Sequence, residues 1–181
     1  MSRRNFEEYK ELNRNPLTNV GITVGLLNEN SYDDWKVSLC GPKDTPYKGG
    51  LFSANVHFPP EYPNKAPEIY FISPIYHVNI NPYAPREEGS VPLGHVSIST
   101  LYWWKPEYKM KEVLLNIYSL FYNHNPDSPY GINRAKEYKE NFSLYEEKAK
   151  YFTKQYASPQ KKTTFYQNYD RTKDWDFNYN K

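Results

Sequence analysis

Few residues in this chain are able to do chemistry, and their spacing restricts what they can do. Cys40 is the only thiol, which excludes an intramolecular disulfide and leaves a thiolate zinc site without its ligands. It ends a run in which Trp35, Val37 and Leu39 alternate with Lys36, Ser38 and Cys40. That spacing puts the thiol on one face of a strand as a small packing group, not in a nucleophile's pocket. Ser97 has His95 two residues before it, a pairing that suggests base-assisted acyl transfer. On extended chain, however, positions i and i+2 only share a face, and no carboxylate is placed to orient the ring. His77 and His124 lack partners at metal-ligand spacing, and His124 falls where it would cap the end of a helix. Asn79, Asp127 and Ser128 lie in turn-rich stretches, where such side chains commonly bond the backbone. The residues call for no metal and no cofactor.

The elements that must position these groups follow from periodicity. Phe6, Tyr9 and Leu12 recur at helical spacing before the stop at Pro16, which predicts a first helix over Phe6 to Arg14. Alternating runs at Gly21–Leu27, Asp34–Gly41, Leu51–Phe58 and Glu68–Ser73, separated by turn-forming stretches, predict a four-strand meander. From Ser73 to Tyr108 the periodicity disappears, and so long an irregular segment inside a domain points to function. Met110, Val113, Leu114, Ile117 and Phe121 then form one apolar stripe, predicting a core helix. Beyond Pro126 and Pro129, a helical pattern over Ile132 to Ala157 carries Ala135, Tyr138, Phe142, Tyr145, Ala149 and Phe152 on one side. The organisation expected is one domain over 1–157 and a polar, ring-bearing tail over 158–181.

Composition narrows the partners. With 23 basic and 21 acidic side chains scattered along the chain and a net charge of +2, no basic stripe marks a nucleic-acid footprint. The longest apolar run falls far short of the ~20 residues of a membrane span. The first residues read as a structural element, not a signal or transit peptide, so an intracellular, by default cytoplasmic, setting is expected, with an organellar assembly also open. The 19 tyrosines suit a core of rings with polar tips, and they suit protein interfaces equally.

Several words in the sequence narrow the fold. Gly41-Pro42-Lys43-Asp44-Thr45-Pro46-Tyr47-Lys48-Gly49-Gly50, then Phe58-Pro59-Pro60-Glu61-Tyr62-Pro63, Ile75-Tyr76-His77-Val78-Asn79-Ile80, Trp104-Lys105-Pro106 and Asn125-Pro126-Asp127-Ser128-Pro129 occur in order. Together they resemble ubiquitin-conjugating enzymes over Arg4 to Ala157. The resemblance implies an α+β UBC fold: an N-terminal helix, a four-stranded antiparallel meander, a long active-site-type loop and two or more C-terminal helices. It also makes His77 a structural histidine of the loop.

By the same resemblance the family's catalytic cysteine, which takes ubiquitin as a thioester, falls on Ser97 within Gly94-His95-Val96-Ser97-Ile98, or on Pro92 within Gly89-Ser90-Val91-Pro92-Leu93. Neither is a thiol. Choosing Ser97 implies an insertion of roughly Pro82 to Leu93 after Asn79. Asn79 then matches the oxyanion-stabilising asparagine, and Ser128, with Asp127 before it, matches the gate beside the site. Arg3 and Arg4 keep the basic start of the ligase-binding surface, whereas Asn64 replaces its apolar residue and Glu107 follows Pro106. The tail rings Phe165, Tyr166, Tyr169, Trp175, Phe177 and Tyr179 are read as contacts to a partner.

The expectation is a UBC-like protein inactive in ubiquitin transfer, serving as a binding or structural subunit of a larger assembly. Its partners would be other proteins, among them ubiquitin, a ubiquitin-like protein or a multi-subunit complex. The alternatives are a conjugating enzyme whose cysteine has been replaced by serine and a ubiquitin-binding regulatory variant.

Overall fold

Alternation of apolar and polar side chains sets out the sheet. In the computed structural model, which describes residues 3–82 and 93–159, strands β1 (Ile22–Asn28), β2 (Ser31–Cys40), β3 (Leu51–His57) and β4 (Glu68–Phe71) pair in chain order as an antiparallel meander. The register places Leu39 opposite both Ile22 and Phe52, and Val37 opposite Val24 and Ala54. Trp35, Val37 and Leu39 are therefore buried together on the inner face, while Lys36 and Cys40 are exposed on the other. A one-residue slip would reverse both faces at once.

Glycines set the turn into β3 by two different means. Gly49 has a φ of 76°, which a side chain rarely tolerates. Gly50 has no such backbone, but a Cβ there would lie 2.6 Å from the Phe52 ring. Positive φ is thus needed only at Gly49; Gly50 makes room.

Helix α1 (Arg3–Arg14) covers one end of the sheet, with Tyr9 against Trp35 and Tyr32. Its face toward the domain also buries two polar residues, Asn5 and Glu8. Asn5 bonds the Tyr32 carbonyl and Asp33. One Glu8 carboxylate oxygen accepts from the Arg4 guanidinium and, at 2.8 Å, from the Tyr62 hydroxyl; the other accepts the Met110 backbone N–H at 2.6 Å. A carboxylate at a helix N-terminus satisfies an otherwise orphan donor and opposes the helix dipole. Glu8 thus fixes where the core helix begins.

Among its described residues, the segment expected to be irregular contains one helical turn, α2 (Ser99–Tyr102), before α3 (Met110–Ser119). The predicted stripe is real: Met110, Val113, Leu114, Ile117 and Phe121 join the apolar cluster of the inner sheet face. The long C-terminal helical pattern is split into α4 (Ile132–Glu140) and α5 (Phe142–Tyr156). Asn141 between them leaves helical geometry and its side chain accepts the Leu144 N–H, the behaviour of an N-cap. Ala135, Tyr145, Ala149 and Phe152 stay buried across the break, whereas Phe142 is exposed. Past α5, Ala157 is buried and its carbonyl accepts the Leu51 N–H at 2.7 Å, tying the last helix to β3. Pro92, the side chain of Arg3 and the tail residues Phe165, Tyr166, Tyr169, Trp175, Phe177 and Tyr179 lie outside the described residues.

Candidate functional site

Residues 73–82 run through the interior, so their backbone and side chains must find partners within the protein. His77 is fully buried: its Nε2–H donates to the Leu120 carbonyl at 3.0 Å, and its Nδ1 accepts the Asn79 backbone N–H at 3.0 Å. Burial, helped by neighbouring His124, pushes the His77 pKa well down, so the ring is neutral. It is the structural histidine that the resemblance implies.

Asn79, also fully buried, uses its entire side chain. The amide donates to the carbonyls of Asn125 at 2.8 Å and Ser128 at 3.1 Å, and its oxygen accepts the Asn125 N–H at 2.9 Å. The side chain thereby holds the loop that carries Asp127 and Ser128. No amide hydrogen remains to face an oxyanion.

Ser97 is brought to Asn79 by backbone pairing. Asn81 N–H donates to the His95 carbonyl, Gly94 N–H to the Asn81 carbonyl and, at 2.8 Å, Ser97 N–H to the Asn79 carbonyl. His95 pairs in turn with Tyr70 at the edge of β4. Gly94 makes this approach possible, because its φ is 81° and a Cβ there would lie 2.0 Å from the Phe71 carbonyl oxygen.

Ser97 stands between two depressions. The first, of about 480 Å³, is a groove lined by Ser97, Ser99, Thr100, Asn116, Asn125 and Ser128, with Tyr102 and Trp103 at its rim. The second, of about 300 Å³, is bordered by Lys65, Glu68, His95, Ser97, Leu101 and Tyr130. His95 and Ser97 do share a face, as extended chain requires. The His95 Nδ1, however, meets the Tyr130 hydroxyl at 2.6 Å, and among the described residues no carboxylate hydrogen-bonds the ring. Burial lowers the His95 pKa, opposed by the nearby Glu68 charge.

The remaining candidates scatter. Ser128 lines the groove, whereas the Asp127 carboxylate pairs with Lys139 of α4 at 2.7 Å on the surface. Arg4 is half-buried, pairing with Glu8 and donating to the Tyr108 carbonyl at 3.2 Å, so its charge is largely spent inside the domain. Asn64 and Pro106 are exposed. Trp104 donates its ring N–H to the Pro63 carbonyl at 2.7 Å. Cys40 is exposed at the end of β2, its N–H bonded to the Gly21 carbonyl.

His124 does not cap α3. Its ring stacks on His77 at 4.4 Å and on Tyr138 at 5.0 Å, and its Nε2 meets the Tyr47 hydroxyl at 3.1 Å. Burial pushes its pKa down to about 4. The helix ends instead through bonds from Leu120 N–H to the Ile117 and Tyr118 carbonyls, which leaves the imidazole to pack. Sequence reasoning also missed Tyr47, whose hydroxyl donates to the Tyr76 carbonyl at 2.9 Å, and Tyr130. Nothing in their spacing marks either tyrosine among so many.

The sequence model of the family described as ubiquitin-conjugating enzyme matches residues 4–153. The chain belongs to the ubiquitin-conjugating enzyme family. A "Ubiquitin-conjugating enzyme E2" of African swine fever virus (strain Badajoz 1971 Vero-adapted) is 40% identical over 148 residues, covering 77% of this chain and 63% of the relative. The protein of the same name from isolate Pig/Kenya/KEN-50/1950 is 38% identical over 148 residues, covering 77% and 62%. The chain thus spans less than two thirds of the length of these family members. Among its described residues no helix is long and apolar enough to cross a membrane.

Proposed function

We propose that this family member binds other proteins, ubiquitin or a ubiquitin-like protein among them, without transferring ubiquitin through a thioester. The observation that carries the reading is the residue beside Asn79. It is Ser97, hydrogen-bonded through its backbone to the Asn79 carbonyl, while the only thiol of the chain is Cys40, exposed at the far end of a sheet strand.

Thioester formation requires a thiolate. A hydroxyl has a far higher pKa and needs an adjacent oriented base to attack. His95 is the nearest candidate base in sequence, and its Nδ1 is occupied by Tyr130 instead of a carboxylate. The Asn79 amide could stabilise an oxyanion only by releasing a loop carbonyl. A groove that keeps its shape without its nucleophile suits a binding or structural subunit. The intact groove also favours a second reading, a conjugating enzyme whose cysteine has been replaced by serine.

Charging with activating enzyme, ubiquitin and ATP separates the two. The protein should form no dithiothreitol-sensitive adduct. A reducible adduct on Cys40 would sink the inactive reading. If Ser97→Cys charges and Pro92→Cys does not, the cysteine position is Ser97 and the second reading gains.

A further inference from the structure

A depression of about 570 Å³, sharing no residue with the two beside Ser97, lies between the turn from β2 to β3 and helix α5. Its walls follow from local backbone needs. The turn is closed by the Lys48 N–H donating to the Thr45 carbonyl at 3.1 Å, the Gly50 N–H to the Tyr47 carbonyl at 3.0 Å and the Thr45 hydroxyl to the Pro42 carbonyl at 2.9 Å. Gly50 lets this turn press against α5, since a Cβ there would lie 2.8 Å from the Thr153 methyl. Just beyond, the bond from the Leu51 N–H to the Ala157 carbonyl ties the two walls together. The concavity is thus preformed, and only the side chains at its rim adjust.

The rim is unevenly charged. Lys43 and Lys48 of the turn and Lys150 and Lys154 of α5 stand there against two acids, Asp44 and Glu146, an excess equal to the formal charge of the whole chain, +2. Glu146 pairs with Lys150 at 3.1 Å, one helical turn away. Lys43, Lys48 and Lys154 are exposed, and among the described residues no carboxylate pairs with them. The other lysines of the last two helices behave differently: Lys136, Lys139 and Lys148 each meet a carboxylate. Unpaired like charges around one concavity raise its potential and attract an anion. Among them lies a backbone donor as well, the N–H of exposed Gly49, which bonds no group among the described residues.

We propose that this depression docks an acidic segment of a partner protein, its carboxylates on Lys43, Lys48 and Lys154 and its backbone against the Gly49 N–H and the two acids. This rests on reading the domain as a protein-binding module and names the chemistry of the partner. A polyphosphate or nucleic-acid backbone would be repelled by Asp44 and Glu146, whereas a peptide turns its own N–H groups toward those carboxylates. Lysine, a point charge on a flexible stem, accepts carboxylates at varied spacing without the fixed geometry that arginine imposes. The continuation of the chain past Ser158 is no complement, because Lys and Arg outnumber Asp and Glu in residues 160–181.

The test titrates the full nitrogen-15-labelled chain at low salt with the probe acetyl-Glu-Gly-Glu-Glu-Gly-Glu-amide. The Gly49 amide signal should shift saturably, and the counterpart with every glutamate replaced by glutamine should not saturate. Lys48→Gln combined with Lys154→Gln should weaken binding roughly tenfold, the loss of two exposed charge contacts, at an unchanged melting temperature. Lys36→Gln combined with Lys105→Gln removes the same charge elsewhere on the exposed surface and should leave affinity unchanged. An equal loss in that control, saturation without movement of the Gly49 signal, tighter binding of tripolyphosphate or an oligothymidylate than of the peptide, or no saturation at millimolar peptide would each overturn the proposal. None of these results depends on the charging assay, so either reading can fail alone.

Discussion

Two buried polar side chains hold opposite ends of the irregular segment that carries Ser97, and they do it differently. Near the start, Asn79 is neutral, and every polar atom of its side chain bonds backbone of one loop. Near the end, Glu8 is a carboxylate that joins three elements: Arg4 within α1, Tyr62 ahead of β4 and the first N–H of α3. A neutral amide suits a loop whose carbonyls and N–H groups must both be met. A charge is tolerated at Glu8 because it meets a guanidinium and a helix N-terminus. The segment is thus braced at both ends by groups that do not involve the Ser97 side chain.

Glu8→Ala should break the comparison hardest. It removes the acceptor of the Tyr62 hydroxyl and the Met110 N–H and takes the Glu8 ion pair away from Arg4. Losing one partner of a buried pair costs roughly 3–5 kcal/mol, and since the Arg4 side chain is 32% exposed and can be rehydrated, the lower end applies. Urea unfolding measures it; a loss under about 1 kcal/mol, the level of an exposed ion pair, would show that α3 starts where it does without Glu8.

Asn79→Ala should cost less, about 1–3 kcal/mol for groups left unsatisfied, because Asn125 and Ser128 are exposed and water can reach their backbone. Asn79→Asp sharpens the contrast. It still accepts the Asn125 N–H but turns a carboxylate oxygen toward two carbonyls, so at neutral pH it should be less stable than Asn79→Ala. If aspartate proves the better replacement, the amide is not donating to those carbonyls.

The two braces were not equally legible. Asn79 stands in a recognisable word, Ile75 to Ile80, and its position follows from reading that word. Glu8 lies on a helix one turn before Leu12, where its charge alone suggests a solvated side chain, and no local pattern reports a hydrogen bond to Met110, on an element far along the chain. The same limit explains α4 and α5. Their rings keep helical phase across Asn141, so periodicity runs them together, and only the capping role of Asn141 separates them. Ser97 was singled out by its neighbours in sequence, whereas Tyr130, which bonds His95, follows Pro129 in a loop without any periodic signal. The meander, by contrast, was readable strand by strand, because each strand must hide every second side chain.

The smallest effect concerns the neutral brace and is seen in its pH dependence. His77 accepts the Asn79 N–H and stacks on His124; burial lowers the pKa of both, that of His124 to about 4. An unfolded histidine titrates near ~6.5, so below that pH the unfolded chain binds protons that the folded one refuses. Stability from these two rings is complete above about pH 7 and is lost as pH falls from ~6.5 toward 4, with a slope of up to ~1.4 kcal/mol per pH unit for each histidine. His124→Phe keeps a ring stacked between His77 and Tyr138 but removes one proton, so its urea midpoint should fall less steeply between pH 6.5 and 5 than that of the parent. The change removes the 3.1 Å contact to the Tyr47 hydroxyl, which lowers stability at every pH by a constant amount and does not alter the slope. Parallel profiles would mean that His124 takes up its proton in the folded state, and the neutral stack beneath Asn79 would then be wrong.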